Sequence, residues 1–266
     1  MESGDRDGDR PLPPILLVAT VLPQGGRMPP RTRQPHTNRV EVKRSGKGRA
    51  LRIDGTFASW YQPGNEVTGS VWDALAAPLL LLPKPRRGRV LILGLGGGSA
   101  ARVVRALAPK ARITGVEIDA EVVRAARRWF DLDGLGVEVV KGDARLYLER
   151  TRRRFDVILD DVFVGNRRNL RKPDWMPDPG LALATGQLRP GGILVSNAID
   201  EAASVAREMR RLFASTLQIS IEDYDNRVVV GAGFPISGRA LRAALTRNPT
   251  LAATAQRFKI RKSTGR

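Results

Sequence analysis

The stretch GRVLILGLGGGSAARVV (88–104) constrains the fold more than any other part of the chain. VLIL is an apolar run without alternation, the pattern of a strand covered on both faces. Glycines at 94 and at 96–98 follow, and a helical pattern starts at Ser99. So little side chain at the turn leaves three readings open: a nucleotide phosphate, a nucleoside sulfonium donor, or tight packing alone.

The unit repeats along the chain. Strands at 89–93, 111–118, 137–141, 155–160 and 192–197 are followed by helices at 99–108, 120–130, 144–151, around 179–188, and 200–214. Strands at 217–223 and 227–232 close the run as an antiparallel edge. This alternation predicts an α/β fold: a Rossmann-like, doubly wound, seven-stranded and mostly parallel sheet. Ahead of it, RVEVKR (39–44) and RALRID (49–54) flank Ser-Gly-Lys-Gly, a β-hairpin pattern. GSVWDALAAPLLLL (69–82) reads as an apolar helix bent at Pro78. The expected organisation is a disordered leader (1–38), a β-hairpin region (39–66), a Rossmann-like domain (67–235) and a basic helix or tail (236–266).

Composition excludes several chemistries. There is no cysteine, and the one histidine, His36, lies in a Pro/Arg-rich segment. Disulfides, thiolate or multi-histidine metal sites and a histidine triad are thereby ruled out, so no metal is expected and a general base must be a carboxylate or another group. The formal net charge is +18. Basic residues gather over 27–52 (Arg27, Arg31, Arg33, Arg39, Lys43, Arg44, Lys47, Arg49, Arg52), and no acid follows Asp225. Such ends read as solvated tails or as arms for RNA or another polyanion. ILLVATVL (15–22) is too short to span a bilayer, and acids precede it where a secretory signal carries bases. A soluble, cytoplasmic protein is expected, with no membrane partner. Translation starting at Met28 is a further expectation.

Candidate site residues fall at strand ends. Glu117 ends the second strand of the repeat, where an acid accepts from both ribose hydroxyls and repels a 2′-phosphate. Asp143 ends the third, either to accept from an adenine amino group or to cap the helix beginning at Ala144. Asp160 and Asp161 end the fourth, at the carboxyl edge where open α/β sheets bind ligands. Asp161 is the candidate for orienting or deprotonating a nucleophile. In the loop NRRNLRKPDW (166–175), Arg167, Arg168, Arg171 and Lys172 are read as overhanging this edge, with Trp175 either stacking on a base or ring or, the favoured reading, pinning the loop to the domain.

The series VLILGLGGGS, VEID, GDA, FDVILDD and LRPGGILV resembles the spermidine synthase-like family over about 39–235. The resemblance implies a class I methyltransferase-like fold behind a small N-terminal β region. It also implies that Gly94, Gly96 and Gly98 line an adenosyl donor, Glu117 holds the ribose, Asp143 and Ala144 contact adenine, and Asp161 is the catalytic aspartate. Departures accompany it. Gly97 stands where the family carries an aspartate that holds the aminopropyl amine, and Val164 replaces the second acid of its aspartate-rich signature. Ser70-Val71 and Ala58 fall where its Tyr-Gln pair and a further glutamine lie. These losses, with the cationic loop, make methyl transfer from S-adenosylmethionine to a small-molecule or protein amine the leading expectation. Aminopropyl transfer from decarboxylated S-adenosylmethionine to a polyamine is the alternative. A non-catalytic donor-binding module with RNA-binding basic surfaces is the second. A homodimer fits either enzyme, because the hairpin offers a pairing edge.

Overall fold

The computed structural model describes residues 39–263. The expectations of a disordered leader and of a start at Met28 lie outside the described residues. Three short strands come first: β1 (Val40–Ser45), β2 (Gly48–Ile53) and β3 (Thr56–Tyr61) form an antiparallel sheet in the order β1-β2-β3. The hairpin is as the Gly-containing turn implies; the third strand was not anticipated. It follows a tight turn at Asp54 and Gly55, both with positive φ.

Helix α1 (Val71–Ala76) then runs straight into a 3-10 turn over Ala77–Leu81, so the apolar segment tightens where Pro78 interrupts the α pattern. The main run follows in chain order. It comprises β4 (Arg89–Leu93), α2 (Ser99–Leu107), β5 (Arg112–Glu117), α3 (Ala120–Trp129), β6 (Val137–Lys141), α4 (Ala144–Arg150), β7 (Phe155–Asp160), α5 (Gly180–Gly186), β8 (Leu188–Ala198), α6 (Ala202–Leu212), β9 (Ser215–Ile221) and β10 (Arg227–Ala232). The chain continues through α7 (Gly238–Thr246), α8 (Ala252–Ala255) and β11 (Phe258–Lys262).

The sheet has eight strands in the order β11-β9-β10-β8-β7-β4-β5-β6, not the seven expected. The pairings from β8 to β6 are parallel, and those from β11 to β8 are antiparallel. The additional strand is FKIRK, whose charges made it read as part of a solvated tail. Its alternation decides otherwise: Phe258 and Ile260 are buried on one face while Lys259 and Arg261 point outward, and Lys262 is exposed at the strand's end. That is the pattern of a half-buried edge strand.

Both faces of the parallel part are covered. Val90 and Ile92 of β4 pack into one apolar cluster with α1 and α2, and Leu91 and Leu93 pack into another with α4, α5 and α6. Each such side chain contributes about 1.5–3 kcal/mol by leaving water. This explains a run of VLIL with no polar alternation. No helix among the described residues is long and apolar enough to cross a membrane.

Candidate active site

The carboxyl ends of β4, β5 and β7 converge on the glycine turn. Gly94, Gly96 and Gly98 all have positive φ (+78°, +54° and +87°), which L side chains rarely adopt. Space is also short: a Cβ at Gly94 would lie 2.6 Å from the Asp161 carbonyl oxygen. The turn is therefore pressed against the end of β7. Its amides are engaged within the chain. Gly94 and Leu95 donate to the Val116 carbonyl at 3.0 and 3.1 Å, and Gly98 donates to the Leu95 carbonyl at 3.0 Å. Gly96 donates to Glu117 Oε2 at 2.8 Å, and Gly97 to Ser59 Oγ at 2.7 Å. A phosphate cradle needs such amides pointed at the ligand. Of the three readings, this one fits the observed turn least.

Glu117 is buried at the end of β5, and its other oxygen accepts from the Asp119 amide at 3.1 Å. Burial raises its pKa, while the Gly96 and Asp119 amides pull it back. Asp143 caps α4, its Oδ1 accepting from the Leu146 amide at 2.9 Å, and Ala144 is buried beside it. The backbone ties this end to Glu117, because the Gly142 amide donates to the Glu117 carbonyl at 2.9 Å.

Asp161 sits directly after β7, with its amide bonded to the Leu93 carbonyl at 2.8 Å. Oδ1 accepts from Asn197 Nδ2 at 2.7 Å and Oδ2 from Trp72 Nε1 at 3.0 Å. Asn197 is itself held by Asn226 Nδ2 at 2.9 Å. Burial pushes the Asp161 carboxyl up to about 6, opposed by the Asn197 amide, the Lys172 charge and the Trp72 indole. A carboxylate in that range exchanges protons near neutral pH.

Asp160 is turned away into the interior. It is fully buried, accepts from Ser196 Oγ at 2.5 Å and pairs with Lys172 Nζ at 2.8 Å. Lys172 therefore does not add its charge to the overhanging loop. Arg171 is engaged by Asp174 at 3.1 Å, whereas Arg167 and Arg168 are exposed. The loop meets the N-terminal sheet where the Arg167 amide reaches the Asp54 carbonyl at 3.4 Å. Trp175 packs into the apolar cluster beside Gly180, which is the pinning role expected of it.

Four residues at this site were not singled out from sequence: Ser59, Trp72, Asn197 and Asn226; Lys172 was, but as a cation of the overhanging loop rather than a buried partner of Asp160. Asn197 carries the same signal as Asp161, a polar residue ending a buried strand at the carboxyl edge. Ser59 and Trp72 carry none, because each reaches the site across a large sequence separation. Among the described residues, no cluster of His, Cys, Asp and Glu could hold a metal ion.

A glycine turn, an acid ending the next strand and a carboxylate ending β7 on a doubly wound sheet define a class I methyltransferase-like protein. A family model described as a methyltransferase domain matches residues 90–192. The chain is 34% identical over 133 residues to a probable polyamine aminopropyl transferase of Bifidobacterium longum, covering 49% of this chain and 28% of the relative. It is 32% identical over 163 residues to a polyamine aminopropyltransferase of Vibrio vulnificus, covering 58% and 52%. An eEF1A lysine and N-terminal methyltransferase homolog of Drosophila pseudoobscura is 33% identical over 125 residues, covering 46% and 18%. The chain thus spans about half or less of the length of these relatives. Its fold is shared with a probable spermidine synthase from Corynebacterium glutamicum, with a TM-score of 0.69 and 22% identity over 86% of this chain and 88% of that one. In sequence and in fold the chain is thus similar to spermidine synthase-like proteins of the class I methyltransferase fold.

Proposed function

We propose that this chain is a transferase moving an alkyl group from an adenosyl sulfonium donor to an amine, of the polyamine aminopropyltransferase type. The comparisons favour aminopropyl transfer over the methyl transfer that the sequence puts first, since several of the relatives are named polyamine aminopropyltransferases and the fold is shared with a probable spermidine synthase. The observation that carries the reading is Asp161: a carboxylate at the sheet's carboxyl edge, aimed by Trp72 and Asn197 and pressed against the glycine turn.

The residues present fit such a donor. Gly94, Gly96 and Gly98 keep the turn free of side chains, and Glu117 is a buried acceptor for ribose hydroxyls. Asp143 and Ala144 border the adenine position, with Asp143 capping α4 at the same time. A bound donor supplies an electrophilic carbon on a sulfonium and a neutral thioether leaving group. Asp161 accepts the proton that the amine nitrogen loses as its new C–N bond forms. Alignment of the two reactants supplies much of the rate, on the order of 7–11 kcal/mol in well-oriented cases. In this reading residues 39–66 are the N-terminal β region and 67–235 the donor-binding domain.

One observation favours methyl transfer as the second reading. Position 97, where an acid would hold the aminopropyl amine, is a glycine closed off by Ser59. Turnover of a diamine with decarboxylated S-adenosylmethionine, run beside methyl transfer from S-adenosylmethionine, separates the two. Product from the decarboxylated donor alone supports the first reading. Methylated amine alone supports the second, and no product from either removes both.

A further inference from the structure

Lys172 lies in an Arg-rich surface loop, yet its side chain is fully buried. Its ammonium reaches groups from both neighbours of Asp161. Nζ donates to Asp160 Oδ2 at 2.8 Å and to the Val162 carbonyl at 3.1 Å, and it stands 4.6 Å from the centre of the Phe163 ring. The backbone beside it is tied down too, because the Lys172 amide donates to Glu201 Oε1 at 2.9 Å. The loop is thereby anchored through its one buried cation to the residues that bracket the candidate base.

The charge balance matters as much as the geometry. Two carboxylates at consecutive positions in a partly dry site resist ionising together. Asp160 also accepts from Ser196 Oγ and from the Val162 amide at 3.1 Å, so it is held in place on every side. The charged groups facing Asp161 are Asp160 on β7 and Lys172 on the loop, with Glu201, ahead of α6, touching the Lys172 backbone.

We propose that Lys172 is a positioning residue of this site: by bracketing Asp161 and neutralising Asp160, it leaves Asp161 as the one carboxylate of the pair that exchanges a proton. The inference deepens the transferase reading and rests on it for its catalytic meaning. Its physical content, a charge coupling, is readable without turnover.

The reporter is the Trp72 indole N–H, which donates to Asp161 Oδ2. Its ¹H–¹⁵N resonance follows Asp161 through a pH titration, and Trp72→Phe assigns it among the tryptophans. The wild-type protein should titrate in one step near the about 6 set by burial. In Lys172→Met the step should rise by about one pH unit or split in two, as for carboxylates sharing a proton. Asp160→Asn/Lys172→Met removes both charges, and a neutral replacement of a buried pair is tolerated far better than the loss of one partner. Its step should return to within about half a pH unit of wild type. A single unshifted step in Lys172→Met overturns the proposal, as does a double variant displaced as far as the single one. Should Lys172→Met not fold, the double variant alone decides: a step near wild type supports the charge balance and a displaced one overturns it. Absence of turnover in the wild type, with the reporter behaving as stated, would remove the transferase reading and leave the coupling standing.

Discussion

Ser59 and Gly97 are packed so tightly that position 97 admits no side chain. The Gly97 amide donates to Ser59 Oγ at 2.7 Å, and a Cβ at 97 would lie 2.8 Å from Ser59 Cβ and 3.2 Å from the Phe130 ring. A strand residue from β3 therefore occupies the room that a side chain at 97 would need. Gly97→Asp should destabilise the fold by about 1–3 kcal/mol, the usual range for overpacking. Ser59→Gly/Gly97→Asp should recover part of that loss and shift donor preference toward the decarboxylated form. Thermal melts and calorimetric titration with both donors check this.

Asp161→Asn keeps the shape and removes the base. The rate with any amine acceptor should fall roughly 10²-fold or more, the usual share of a general base, with donor affinity little changed. The acidic limb of the wild-type pH–rate profile should fall near pH 6, where burial places this carboxyl. A profile flat through that region would remove Asp161 as the base.

The same carboxyl makes a stability prediction. Its folded pKa is raised, so the folded state holds the proton more tightly than the unfolded chain. Stability from this group is present at low pH and is lost as pH rises from about 4 to about 6, with a limiting slope of about 1.4 kcal/mol per pH unit. Relative to Asp161→Asn, the wild type should gain melting temperature as pH falls through that window. Equal pH dependence of the two proteins would contradict the burial argument.

Glu117→Ala removes the acceptor of the Gly96 and Asp119 amides as well as the candidate ribose ligand. Donor affinity should drop by about 1.5–3 kcal/mol for each charged hydrogen bond lost. Calorimetry on a protein whose circular dichroism is unchanged tests it; unaltered affinity would detach Glu117 from the donor.

Ile260→Ala tests whether the last strand belongs to the core. Ile260 pairs with Ile219 and is buried, so its truncation should cost about 2–5 kcal/mol. A change of a few tenths in chemical denaturation would mean that β11 contributes little.

Arg167 and Arg168 are exposed cations of the loop that no acid of the loop engages, unlike Arg171 with Asp174, and reversing both to Glu should lower KM for a polycationic acceptor while raising it for an anionic one. The effect should weaken with salt, since exposed charges are screened within about 10 Å at 0.1 M. An acceptor KM indifferent to the reversal would place the loop away from the acceptor.

The alternation of strands and helices from Arg89 to Ala232, the glycine turn, Glu117 at the end of β5 and Asp161 at the end of β7 were all legible in sequence. Each depends on local periodicity or on position within one strand–turn–helix unit, and burial on both faces leaves a strand no polar alternation to confuse the pattern. What the tertiary structure decided is of another kind. That FKIRK is a strand depends on β9 offering it an edge. Lys172 lies inside rather than in solvent because Asp160, twelve residues earlier in the chain, is buried beneath the loop. Ser59 closes position 97, and Trp72 and Asn197 aim Asp161, only because separate elements meet at one sheet edge. Sequence periodicity reports which face of an element is buried; which side chains then meet across the core is set by packing, and in this protein that packing forms the candidate site.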